Sequence, residues 1–181
     1  MLTLKLPHST FHRLLGELDR AGRQEIGGIL MGEQLEAGRF RVTEMTFQRR
    51  SGWVARFVRS AKSALAALQR FFDRSGHRYQ RFNYLGEWHS HPSFEPRPSA
   101  TDHASMLEIA VDPGTGANFV VLLIVKLDAD RVLEGRVTVY LPDGTVFPGT
   151  LDIESERRHA PESVMPSEEG DTHGIQIDEK V

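Results

Sequence analysis

Between Gly86 and Asp102 the chain reads GEWHSHPSFEPRPSATD, which gathers two imidazoles and several carboxylates in one short run. His89 and His91 are one residue apart. On a β-strand, side chains at i and i+2 leave the same face, so a strand over 83–91 would aim both imidazoles into one cavity. Pro92 bars the strand from continuing, and the prolines up to Pro98 suit a stiff loop. Ser99 then opens a helix-like run, SATDHASMLEIA, with Asp102 in its first turn. Two imidazoles and a carboxylate make three ligands, the protein complement of a catalytic zinc site that keeps a fourth position for water.

Other readings compete for the same residues. Ser99 and Asp102 form S-x-x-D, a helix-capping signature that needs no metal. What favours chemistry is an acid upstream. Glu25 lies in QEIGGILMG, an apolar, glycine-bearing run where a solvated carboxylate is out of place. A buried acid without a partner is costly, but one that must take and return a proton beside a zinc-bound water has a reason to be there.

Together these residues resemble the JAMM (MPN+) metalloprotease family, whose pattern is a glutamate, a distant H-x-H-P, six residues, S, two residues and D. Glu25, His89-Ser90-His91-Pro92, Ser99 and Asp102 meet it without gap or substitution. The similarity runs from Glu25 to about Leu127, and the GEWHSHP wording is that of prokaryotic members. The resemblance implies a mixed α/β fold, a single sheet flanked by helices in the JAMM/MPN, cytidine-deaminase-like architecture. It implies one Zn2+ per chain on His89, His91 and Asp102, and catalytic roles for Glu25 as proton shuttle and Ser99 as oxyanion donor. It also implies a peptidase or isopeptidase acting at the C-terminus of a ubiquitin-like protein or its conjugate, in the manner of a deubiquitinase. Prokaryotic members of this type are associated with ubiquitination-like and phage-defence operons.

Three assignments stay open on the residues alone. The Ser99 hydroxyl can cap the helix or face the oxyanion, and the two uses need opposite orientations. Glu87 shares a face with His89 and His91 on a regular strand, so it could be a fourth ligand, a hydrogen-bond partner behind an imidazole, or the base in place of Glu25. The family pattern favours Glu25. His103 reads as a surface histidine, and Trp88 as a core residue facing away from the imidazoles.

A chain of 181 residues, 39% hydrophobic and 26% charged, is the size and composition of one globular domain. No stretch has the ~18 consecutive apolar residues of a membrane span, and MLTLKLPHST lacks a signal peptide's pattern, so a cytoplasmic protein without a membrane partner is expected. With no cysteine, any zinc site must use imidazole and carboxylate. Residues 151–181 carry nine acidic and three basic groups and lack apolar periodicity. The expected organisation is a catalytic domain over 1–150 and an acidic, disordered tail over 151–181. From Arg49 to Arg81 nine basic residues face one acid, Asp73, which marks a solvated face or a docking surface.

Pattern predicts the framework. LTLKL over 2–6 is a short strand, and Pro7 starts a helix with Phe11, Leu14, Leu15 and Leu18 on one side, ended by Gly22. Strands follow over 25–31 and 39–47, then a helix over 62–72 with a stripe of Ala61, Leu65, Leu68 and Phe72. NFVVLLIVKL over 118–127 reads as a central strand buried on both faces, followed by a strand over 132–140 and a turn at Pro142-Asp143-Gly144. Rival functions are a sulfur-carrier-processing peptidase, a non-catalytic MPN interaction module, and a nucleic-acid surface on the basic block with Trp53, Phe57 and Tyr79 interleaved. The net charge of −3 and the lack of a nucleic-acid motif weigh against the last.

Overall fold

The computed structural model describes residues 1–49 and 55–155. The elements are β1 (Thr3–Leu6), α1 (His8–Ala21), β2 (Ile26–Glu36), β3 (Arg39–Met45), β4 (Gln48–Arg49), α2 (Ala55–Arg74), β5 (Phe82–Ser90), α3 (Ala100–Val111), β6 (Val120–Leu127), β7 (Leu133–Tyr140) and β8 (Val146–Ile153). The strands form one sheet in the order β3-β1-β8-β7-β6-β5-β2-β4. β6 is central, antiparallel to β7 and parallel to β5.

The expected single sheet flanked by helices needs correction, because β2 also pairs with β3 and the sheet closes on itself as a barrel. The cause lies in β2. Its start pairs with β4 and its later part, from Leu30, with β3. A two-residue link with Gly38 at φ 74 then folds β3 back. Register shifts along β2 against both β3 and β5 mark bulges, which bend a strand and add twist. β3 is thereby carried round to pair with β1 as well.

Alternate residues of each strand divide the core. Val121, Leu123 and Val125 of β6 join Leu4, Leu6, Leu30, Val42, Trp88, Val137 and Val139 in the interior cluster, to which α1 adds Leu14 and Leu18. The other face of β6, Val120, Leu122 and Ile124, packs under Met106 and Ala110 of α3. Ile29 and Met31 of β2 pack under Ala67 and Phe71 of α2. The predicted α2 stripe is therefore shifted, and Leu65 stands 57% exposed. The two-faced burial of β6 gives the continuous apolar run its reason. β8 carries the sheet to Ile153, while residues 156–181, most of the expected tail, lie outside the described residues. No helix among the described residues is long and apolar enough to cross a membrane.

Candidate metal centre

β5 positions the first imidazole. Its residues pair with β2 on one side and β6 on the other, with His89 opposite Gly27 and in register with Ile124. Registered residues of neighbouring strands share a face, so His89 lies on the side that α3 covers and is only 4% exposed. Trp88 points the other way, into the interior cluster, and its Nε1 donates to the Thr46 carbonyl at 2.9 Å. The sequence expectation for Trp88 holds.

His91 lies just past the end of β5, yet its N–H still donates to the Val125 carbonyl at 2.8 Å, so the strand direction persists and its ring stays beside that of His89. Their Nε2 atoms are 3.0 Å apart. The His91 Nδ1 atom is 2.8 Å from the carbonyl of Glu95 in the proline loop. A carbonyl can only accept, so Nδ1 carries the proton and the lone pair of Nε2 faces His89. No sequence signal marks this backbone partner.

Asp102 arrives from α3. Ser99 caps that helix: its Oγ accepts from the Asp102 N–H at 3.1 Å, and the carboxylate answers by accepting from the Ser99 N–H at 2.8 Å. The Ser99 hydroxyl donates to the same carboxylate oxygen, Oδ2, at 2.7 Å. The capping reading of Ser99 is thus realised. It leaves Oδ1 turned towards His89, 3.6 Å from its Nε2.

One donor atom from each of His89, His91 and Asp102 falls within 4.8 Å of the others. A tetrahedral zinc ion with ligands at 2.0–2.1 Å separates its donors by about 3.3 Å. The two separations from His89, 3.0 and 3.6 Å, lie on either side of that value, the gap between His91 and Asp102 is within 4.8 Å, and imidazole nitrogen with carboxylate oxygen is a zinc donor set. The residues fit the ion.

Glu25 sits one residue before β2, half-buried, rather than inside a strand as the sequence suggested. The pairing of Gly27 with His89 brings this segment alongside the end of β5, and the Ile26 N–H donates to Ser90 Oγ at 3.0 Å. Glu87 is half-buried further back on β5, where its charge acts on the phenol of the partly buried Tyr84. His103 departs from expectation. It is half-buried rather than a surface residue, with Nδ1 2.9 Å from the hydroxyl of Tyr140.

Two arginines of the described part of the basic block are paired with carboxylates. Arg74 holds Glu44 through both carboxylate oxygens, and Arg81 pairs with Glu33. Arg78 lies over the Phe82 ring. Trp53 and Phe57, which the nucleic-acid reading invoked, lie where no side chain is described.

A family model described as prokaryotic homologs of the JAB domain matches residues 7–136. Over 115 residues the chain is 30% identical to a protein of Enterobacter hormaechei subsp. hoffmannii (strain UCI 50) named CD-NTase/cGAS isopeptidase. That match covers 62% of this chain and 61% of the relative, so the chain spans about three fifths of the relative's length. Among solved structures, protein DSY2949 from Desulfitobacterium hafniense matches with a TM-score of 0.59 at 20% identity, covering 87% of this chain and 97% of that one. A protein from Salinibacter ruber (strain DSM 13855) matches at 0.51 and 22%, covering 84% and 93%. These two likenesses show the fold.

Proposed function

Because the chain belongs to the family of prokaryotic homologs of the JAB domain, we propose that it is a zinc-dependent peptidase or isopeptidase that cleaves at the C-terminus of a ubiquitin-like protein. The observation that carries this reading is the convergence of His89, His91 and Asp102 donor atoms. Three protein ligands is the number found in catalytic rather than structural zinc sites.

His89, His91 and Asp102 would hold the ion. When bound, zinc supplies Lewis acidity, lowering the pKa of water to about 7 and polarising a carbonyl. Glu25 takes the proton from the attacking water and returns it to the departing amine. The Glu95 carbonyl keeps the proton of His91 on Nδ1, so that Nε2 is available as a donor. Ser99 and the first turn of α3 orient Asp102, and Glu87 acts behind the imidazoles on β5. A direct oxyanion role for Ser99 requires its hydroxyl to leave Asp102 when substrate arrives.

The relative's name, CD-NTase/cGAS isopeptidase, supports an isopeptide bond within a modified protein as the substrate, in a CD-NTase system. The test is intact-mass analysis of ubiquitin-like conjugates and linear fusions incubated with the zinc-loaded protein. Release of the modifier, abolished by a chelator and restored by zinc, is expected. Zinc-loaded protein that cleaves neither kind of substrate would refute the proposal and leave a binding module in its place.

A further inference from the structure

Tyr140 ends β7, opposite Val120, and its ring is fully buried under Met106 and Ala110 of α3. Phenylalanine would fill that space equally well, and burying a hydroxyl is costly unless it is hydrogen-bonded. The hydroxyl is bonded, 2.9 Å from Nδ1 of His103, with the two rings edge to face at 5.7 Å. His103 directly follows Asp102 on α3. Adjacent helical residues diverge by roughly 100°, so one can reach the β7 end while the other presents its carboxylate to His89. Asp102 is near enough that its charge adds to burial in raising the Tyr140 hydroxyl to about 12.

The need for such a tie follows from what precedes α3. The chain enters the helix from an irregular, proline-rich loop, and the capping box of Ser99 and Asp102 is internal to the helix. A cap fixes the shape of the first turn but not its place on the sheet. The bond from Tyr140 to His103 joins that turn to β7, two strands from the strand that carries His89.

We propose that Tyr140 and His103 are positioning residues that hold the first turn of α3 on the sheet, so that Asp102 meets His89 at metal-binding distance. The inference rests on the metal-centre reading above. It is tested by zinc affinity, measured by competition with a chromophoric chelator, for wild type, Tyr140→Phe, His103→Leu, His103→Gln and the Tyr140→Phe/His103→Leu pair. Tyr140→Phe and His103→Leu should each weaken zinc binding, by an amount up to the ~10–100-fold that follows removal of a group bonded directly to a metal ligand. The pair should be no weaker than either alone, because both break one bond. His103→Gln, which can still bond the phenol, should stay near wild type. Thermal unfolding of the metal-free proteins is read alongside, since a merely structural role would lower the midpoint and leave zinc affinity alone.

Unchanged affinity in Tyr140→Phe and His103→Leu, with wild type binding tightly, overturns this proposal and leaves the metal centre standing. A wild type that binds no zinc overturns both. Should Tyr140→Phe not fold, His103→Leu carries the measurement, because it alters a half-buried side chain.

Discussion

Gly27 lies directly opposite His89 across the β2–β5 pairing, and a Cβ on Gly27 would stand 2.5 Å from the Trp88 carbonyl and 2.9 Å from Cβ of His89. The strand that leads from Glu25 can approach the histidine strand this closely only without a side chain at that position. Gly86, at φ 146, meets β6 in the same way on the other side of β5, where a Cβ would strike Val121 backbone atoms. Gly27 of QEIGG and Gly86 of GEWHSHP therefore serve the placement of the imidazoles.

Gly27→Ala should push β2 and β5 apart and displace His89. We expect a stability loss of ~1–3 kcal/mol, the usual cost of overpacking, with weakened zinc binding. Denaturant unfolding of the metal-free protein and a chelator competition measure the two effects. A variant matching wild type in both would show that the strands can separate at no cost to the site.

The two glutamates should part company under substitution. Glu25→Gln is expected to keep zinc and lose turnover, because only proton transfer is removed. Glu87→Gln should instead weaken zinc by ~10–100-fold while leaving turnover at saturating zinc near normal. Metal content by mass spectrometry with single-turnover kinetics separates them, and the opposite pattern would exchange the roles.

Ser99→Ala removes the helix cap and one of the bonds to Asp102 Oδ2. The expected outcome is a loss of about 1 kcal/mol in stability, within the usual ~0.5–2 kcal/mol for a cap, together with weaker zinc binding. A fall in kcat of ~10²–10³ at full zinc loading, with stability intact, would assign the hydroxyl to the oxyanion.

Alkaline pH should destabilise the fold through Tyr140 and Tyr84. Burial first, then the charge of Asp102, raises Tyr140 to about 12, and burial with Glu87 raises Tyr84 as well. A raised pKa means that the folded state holds the proton more tightly. The stabilisation is complete below the ordinary value of about 10 and is lost as pH climbs above it, through about 12 for Tyr140. Unfolding midpoints between pH 9 and about 12 should fall, and Tyr140→Phe should flatten the slope. An equal slope in the variant would remove Tyr140 as a cause.

What the sequence determined by itself was local geometry. The i, i+2 spacing of His89 and His91 puts both on one strand face because the pleat alternates, and Ser99-x-x-Asp102 reads as a helix start because three residues span the first turn. Leu14 and Leu18 fall on the buried side of α1 for the same kind of reason, one turn apart. The tertiary structure alone decided matters that depend on distant partners. Closure of the sheet needs β2 to bend until β3 reaches β1, and Leu65 lost its expected burial to Ala67 and Phe71 because α2 docks one face and not the neighbouring one. His103 looked like a surface residue until Tyr140, 37 positions away, came beneath it. Ser99 could turn its hydroxyl either way, and it turned to Asp102. Covalent geometry fixes periodicity within an element, whereas which faces meet is settled by the summed packing and pairing of elements far apart in the chain.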